Sequence, residues 1–115
     1  MSTPAVAAEY TARFAGRMVT TAWVLTELAN FLARGANRSL FVSLLEDMQS
    51  DNDAVIVEPT QEWFEKGVEL FARRPDKDWS LTDCISFAVM TDQGITAALT
   101  TDHHFEQAGF TVLLK

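Results

Sequence analysis

The stretch Arg17-Met18-Val19-Thr20-Thr21-Ala22-Trp23-Val24-Leu25-Thr26-Glu27-Leu28-Ala29-Asn30-Phe31-Leu32-Ala33-Arg34 changes its apolar period part-way along. Residues 17–20 are short and β-branched in character. Val24, Leu25, Leu28, Phe31 and Leu32 then recur at helical spacing, so a strand over 17–20 feeds a helix over 22–34. Toward the amino terminus, Pro4 suits a first helical turn, Thr3 can cap it and Gly16 can end it, which predicts a helix over 5–15.

Toward the carboxyl terminus the alternation repeats. Gly35 closes the helix, Ser39 opens another to about residue 49, and the turn Ser50-Asp51-Asn52-Asp53 leads into the buried strand Ala54-Val55-Ile56-Val57. Thr60 caps a helix to about residue 73, with Glu62 and Glu65 near its positive end. A charged loop over 73–79 follows, and Ser80 caps a helix whose Leu81, Cys84, Ile85, Ala88 and Val89 form one apolar stripe ended by Gly94. Residues 95–100 read as a strand, 103–108 as a short helix stopped by Gly109, and 110–114 as a last strand. Strands alternating with helices predict an α/β fold: three layers, with a largely parallel sheet and helices on both faces.

The 115 residues fit a single domain over 1–115. With 48% hydrophobic residues, three Trp and eight Phe, the chain can bury a core. The formal charge of −7 excludes nucleic-acid binding by bulk basicity, so any such binding has to be local. Polar residues interrupt every long apolar run, so no membrane helix is expected. The start Met1-Ser2-Thr3-Pro4 lacks a secretory signal and the single Cys84 excludes an intramolecular disulfide, so a cytoplasmic location is expected.

In such a sheet ligands collect beyond the carboxyl ends of the strands, which singles out Glu27, Asp83 and Asp102. Each also has a structural reading. Glu27 can pair with Arg34, Asp83 can complete a capping box with Ser80, and Asp102 can cap the helix from His103. Jointly the three carboxylates can converge on Mg²⁺ or Mn²⁺, hard ions that prefer oxygen. Zinc is not expected at His103-His104, because adjacent histidines on a regular element do not aim at one metal and no ligand pair accompanies them. Cys84 lies on the apolar stripe and reads as packing, and Asp51-Asn52-Asp53 reads as a turn that lacks the remaining calcium-loop positions. Phosphate-binding and dinucleotide glycine motifs are absent.

Together, Val19-Thr20-Thr21-Ala22-Trp23-Val24-Leu25-Thr26-Glu27-Leu28-Ala29-Asn30, Ser80-Leu81-Thr82-Asp83-Cys84-Ile85-Ser86-Phe87 and Thr100-Thr101-Asp102-His103-His104-Phe105 resemble the PIN-domain family, with its VapC-like toxins, over about residues 17–115. The resemblance implies a metal-dependent endoribonuclease acting as the toxin of a toxin–antitoxin pair, with RNA as substrate and a cognate antitoxin as partner. On the matching positions Glu27, Asp83 and Asp102 are the implied metal-binding and catalytic acids, and Thr100 is a supporting hydroxyl. Arg34, Arg38, Arg73, Arg74 and Lys77 are candidate phosphate contacts.

The family opens with an apolar strand ending in Asp, and no such segment precedes residue 5; Glu9, inside the expected first helix, does not take that role. The domain is therefore expected to be N-terminally truncated, leaving the strands near Val19 and Leu99 to pair directly or to accept a strand from a second copy. Homo-oligomerisation follows as an expectation. The alternative function is a non-catalytic remnant serving as an interaction or oligomerisation module.

Overall fold

Met18 sends its N–H to the Asp53 carbonyl at 2.7 Å, and that bond aligns the two strands on which the first half of the chain is built. The computed structural model describes residues 12–14 and 17–114. Its elements run in the order β1 (Ala12–Phe14), β2 (Arg17–Thr21), α1 (Ala22–Phe31), α2 (Asn37–Ser50), β3 (Ala54–Val57), α3 (Gln61–Arg73), α4 (Leu81–Asp92), β4 (Ala97–Ala98), α5 (His103–Gln107) and β5 (Thr111–Val112). β2 and β3 are parallel from Met18↔Ala54 to Thr21↔Val57, with α1 and α2 as the crossover, and β4 is parallel to β5 across α5. This is the α/β alternation expected from the sequence.

Local chemistry sets the boundaries. Val19, Thr20 and Thr21 are buried, and the Thr21 hydroxyl turns from strand to cap by accepting the Val24 N–H at 3.2 Å. Thr60 caps α3 in the same way, accepting from Trp63 N at 3.2 Å. Gly35 and Gly94 take φ of +60° and +68° at the turns after α1 and α4, a conformation that costs a residue with a Cβ.

Two expectations are corrected at the sheet. Within the helix expected over 5–15, Ala12–Phe14 form a strand, and the remainder lies outside the described residues. The ladder from Ala12↔Val19 to Phe14↔Arg17 leaves only Ala15-Gly16 between its strands. Pairing with the open edge of β2 outweighs the helix propensity of alanine. The strands near Val19 and Leu99 do not pair directly: β1 is antiparallel to β2 on the side away from β3 and also approaches β4. The described strands therefore form a three-stranded set, β1-β2-β3, and a two-stranded set, β4-β5, with one antiparallel pair.

The strands expected over 95–100 and 110–114 shrink to two residues each. Ile95 N bonds back to Met90 and Phe110 N bonds back to Phe105, so helix-terminal bonds claim their first residues. Thr100 turns its hydroxyl to the Asp102 N–H while its carbonyl still accepts from Leu114 N at 3.3 Å.

The stripe expected on α4 is broader than one face. Cys84, Ile85, Phe87, Val89 and Met90 are all buried, as are Asp83 and Ser86, because neighbours surround the helix. Phe87 stands edge-on to both Trp79 (centroids 5.1 Å apart) and Phe105 (4.9 Å), an arrangement that adds to the burial of three large rings. Against the other side lies α3, where Gly67 meets the backbone of Ile85: a Cβ at residue 67 would be 3.2 Å from Ile85 Cα and in collision with its Cγ1. Gly67→Ala should therefore destabilise the fold by up to about 2 kcal/mol in urea denaturation, the overpacking cost of about 1–3 kcal/mol less a helix-propensity gain of about 1 kcal/mol.

Candidate functional site

Ser80 and Asp83 form a reciprocal cap at the start of α4. The Ser80 hydroxyl accepts Asp83 N–H at 3.0 Å, and Asp83 Oδ2 accepts Ser80 N–H at 3.2 Å. The capping role read from the sequence is thus real, and it holds a buried carboxylate, 6% exposed, in one orientation. Asp102 is likewise the cap of α5, its Oδ1 accepting His104 N–H at 2.9 Å. Fully buried Thr100 fixes the preceding turn by accepting Asp102 N–H at 3.0 Å. Two helix starts, each with positive dipole character, thereby present a carboxylate to a common region.

His104 joins them. Its Nδ1 lies 3.3 Å from Asp83 Oδ2 and 3.4 Å from Asp102 Oδ1, distances at which an Nδ1–H donates to ionised carboxylates, which only accept. His103 Nδ1 stands 3.8 Å from the same Asp102 oxygen. Ligand atoms of Asp102, His103 and His104 all lie within 4.8 Å of one another, contrary to the expectation that adjacent histidines diverge. Both are first-turn residues of a five-residue helix, where their rings turn back toward the cap.

Glu27 reaches the cluster from α1. The expected pairing with Arg34 is not among the ion pairs of the described residues; the Glu27 carboxylate instead takes a hydrogen bond from the Thr82 side chain and feels the charge of Asp83. Its pKa is raised, first by burial and further by Asp83, with the Thr82 bond acting the other way. Burial likewise raises Asp83, with Asp102 adding to the effect, while the Ser80 bond and His104 oppose it. The structure thus brings the charge of Asp83 to bear on Glu27 and that of Asp102 to bear on Asp83. Thr82 and His104 were not anticipated, although His104 follows Asp102 by the two residues that a cap spans.

The candidate phosphate contacts lie in two other groups. Arg34 and Arg38 sit around the α1–α2 connection, where Arg38 Nε donates to the Ala33 carbonyl at 3.0 Å. Arg73 pairs with Glu69 at 3.3 Å, Arg74 makes two 3.0 Å bonds to Asp76, and Lys77 follows in the same loop. Cys84 is buried and its thiol is pushed up to about 11 by burial and by Asp83, so it packs as a hydrophobe, as expected.

Burial and a neighbouring carboxylate raise the pKa of both Glu27 and Asp83, with no Lys or Arg among the groups that offset them, and such a cluster fits a divalent ion chemically: hard oxygen donors gather where a positive charge is lacking. Ser86, one turn past Thr82 and Asp83, is buried with no partner for its hydroxyl among the described residues, so the polar capacity of that helix is not exhausted.

A raised carboxylate pKa means that the native state holds the proton more tightly than the unfolded chain. Asp83 thus favours folding most below its unfolded pKa, and this contribution is lost as pH rises to the higher native value. Asp83→Asn, which keeps an acceptor for Ser80, should raise Tm at pH 7 in EDTA. The advantage over wild type should shrink toward pH 4, as read by thermal denaturation across that range.

A PIN domain family model matches residues 3–111. The fold is similar to the crystal structure of Mycobacterium tuberculosis VapC20, described as a Sarcin-Ricin loop cleaving toxin, with a TM-score of 0.71 and 28% sequence identity over 81% of this chain and 71% of that one. No curated protein matched the chain. The family match spans most of the sequence and the capped acids sit on an α/β scaffold of the same fold, so the chain belongs to the PIN-domain family.

Proposed function

We propose that the chain is a single-domain, metal-dependent endoribonuclease, the VapC-like toxin of a toxin–antitoxin pair, working in the cytoplasm. The observation that carries this reading is the coupling of Glu27, Asp83 and Asp102 across α1, α4 and the start of α5. The fold shared with a toxin that cleaves RNA supports it. PIN nucleases use divalent metals, and the three carboxylates are the residues proposed to hold Mg²⁺ or Mn²⁺. When bound, such an ion polarises the scissile phosphate and lowers the pKa of a water that attacks phosphorus.

The chain's own groups prepare that chemistry. Ser80 and Thr100 hold the acids through backbone caps, so their orientation does not have to be found at each turnover. His104 donates from Nδ1 into the Asp83–Asp102 pair and tempers their repulsion. Thr82 holds Glu27 toward them. Arg34, Arg38 and Lys77 are proposed as outer phosphate contacts, acting by charge rather than by fixed geometry.

An antitoxin protein is the proposed partner, and the chain is proposed to self-associate. Exposed Phe31, Leu40 and Val42 on α1 and α2 offer apolar surface for either association. No helix of the described residues is long and apolar enough to cross a membrane.

Purified protein should cleave a mixed RNA and a Sarcin-Ricin loop oligonucleotide with Mn²⁺ or Mg²⁺, and not in EDTA. Glu27→Gln, Asp83→Asn and Asp102→Asn should each lower the rate by at least about 100-fold, the scale of losing a preorganised charge contact. Millimolar Mn²⁺ should raise the Tm of wild type but not of Asp83→Asn. Cleavage of equal rate in the three variants would overturn the assignment.

A further inference from the structure

His103 and His104 bring two imidazoles to the acids, and the nuclease reading uses only the hydrogen bond of one. Their rings stand side by side, with centroids 4.5 Å apart and planes inclined by 51°, and both Nδ1 atoms approach the same Asp102 oxygen. His104 Nδ1 is 3.4 Å from it and 3.3 Å from Asp83 Oδ2, and His103 Nδ1 is 3.8 Å from it. A charge-assisted N–H···O bond closes to about 2.7–2.9 Å, shorter than any of these. Around a tetrahedral ion with bonds of about 2.0–2.2 Å, neighbouring ligand atoms stand about 3.3–3.6 Å apart. The two His104 separations fall in that range.

We propose that Asp83, Asp102, His103 and His104 form a site for a borderline transition-metal ion, Zn²⁺ in the first place, which overlaps the all-carboxylate Mg²⁺ or Mn²⁺ site at two acids. Imidazole suits zinc, whereas oxygen donors alone suit magnesium and manganese, and zinc stands above manganese in the general order of affinity. Two nitrogens and two carboxylate oxygens complete a tetrahedral set. With both imidazoles neutral, the charges of two carboxylates and one Zn²⁺ cancel, which suits a place where Asp83 is largely withdrawn from water. Each ring then carries its proton on Nε2 and turns the Nδ1 lone pair to the ion.

Little rearrangement is needed. Ligand atoms of Asp102, His103 and His104 already lie within 4.8 Å of one another. Asp83 is held by its bond from Ser80, and Asp102 by its bond from the His104 backbone. The His103 side chain is 70% exposed, so its ring can turn the remaining distance without disturbing the core. The binding set stands on this geometry alone. Its consequence rests on the nuclease reading: Zn²⁺ held by the histidines takes up Asp83 and Asp102, so it displaces the catalytic ion and stops cleavage.

The test titrates the full chain, stripped of metal, with Zn²⁺ by calorimetry and with Co²⁺ as a spectroscopic stand-in. Wild type should bind one equivalent, and Co²⁺ should give the visible bands of four-coordinate cobalt. His103→Asn should weaken Zn²⁺ binding at least about tenfold, the lower end of the loss when a metal's surroundings are disturbed, and abolish those bands. Its residue is exposed, so Tm in EDTA should stay near wild type. His104→Asn should act on Zn²⁺ in the same direction, whereas Glu27→Gln should leave Zn²⁺ binding near wild type, which separates this donor set from the all-carboxylate one. With RNA and Mn²⁺, added Zn²⁺ should inhibit cleavage. The concentration for half inhibition should rise at least about tenfold in His103→Asn, each protein being referred to its own Mn²⁺ rate.

Zn²⁺ affinity equal in wild type and both histidine variants would overturn the site, and Mn²⁺-dependent cleavage by the same protein would leave the nuclease standing. Histidine-dependent Zn²⁺ binding by a protein that cuts no RNA with any ion would keep the site and remove the nuclease reading. Histidine-bound Zn²⁺ that sustains cleavage in place of Mn²⁺ would overturn the inhibitory consequence.

Discussion

Asp83 is the residue on which the two halves of the chain meet. Its carboxylate closes the cap of α4 by accepting from Ser80, accepts from His104 of α5 and raises the pKa of Glu27 on α1. A capping aspartate at an ordinary helix end is solvated and stabilising. Here the same cap is buried, and its charge is disfavoured by desolvation and by Asp102. The backbone N–H of Ser80 and the imidazole of His104 offset part of that cost, and what remains is a site poised to gain from any added positive charge.

That arrangement explains why α4 is enclosed on nearly every side. A desolvated carboxylate keeps its orientation only if the helix bearing it cannot shift. Gly67 lets α3 approach Ile85 without a side chain between them, while Phe87 locks the opposite side through edge-on contacts with Trp79 and Phe105. Packing density along this helix therefore serves the acids at its start: rigidity gained at Ile85 and Phe87 is inherited by Asp83 through one continuous set of backbone bonds.

Much of this was legible in the sequence where a local signal and the tertiary outcome agree. The caps at Thr60, Ser80 and Asp102 were readable because a side-chain oxygen before an apolar run has few competing uses, and the helices they open lie where expected. Ala12–Phe14 was not, because alanine-rich composition favours a helix while the deciding partner, the edge of β2, comes later in the chain. The last two strands were overestimated for a related reason: the β-prone residues Ile95 and Phe110 are claimed by bonds to the preceding helix ends. The three acids could be named from residue type and position. The coupling through His104 could not, since it depends on where a first-turn ring points rather than on spacing.

The cluster sits in a strongly acidic chain. At a net charge of −7 the protein as a whole repels a polyanion, so an anionic ligand has to be met by local cations acting within about one Debye length of 8–10 Å at moderate salt. Two of the cations near α4 are already committed, Arg73 to Glu69 and Arg74 to Asp76. Neither Lys nor Arg is among the groups that lower the pKa of Glu27 or Asp83, whereas burial and a neighbouring carboxylate raise both. The cluster's uncompensated charge is therefore negative, and a divalent ion bound there would relieve its desolvation cost and its internal repulsion together.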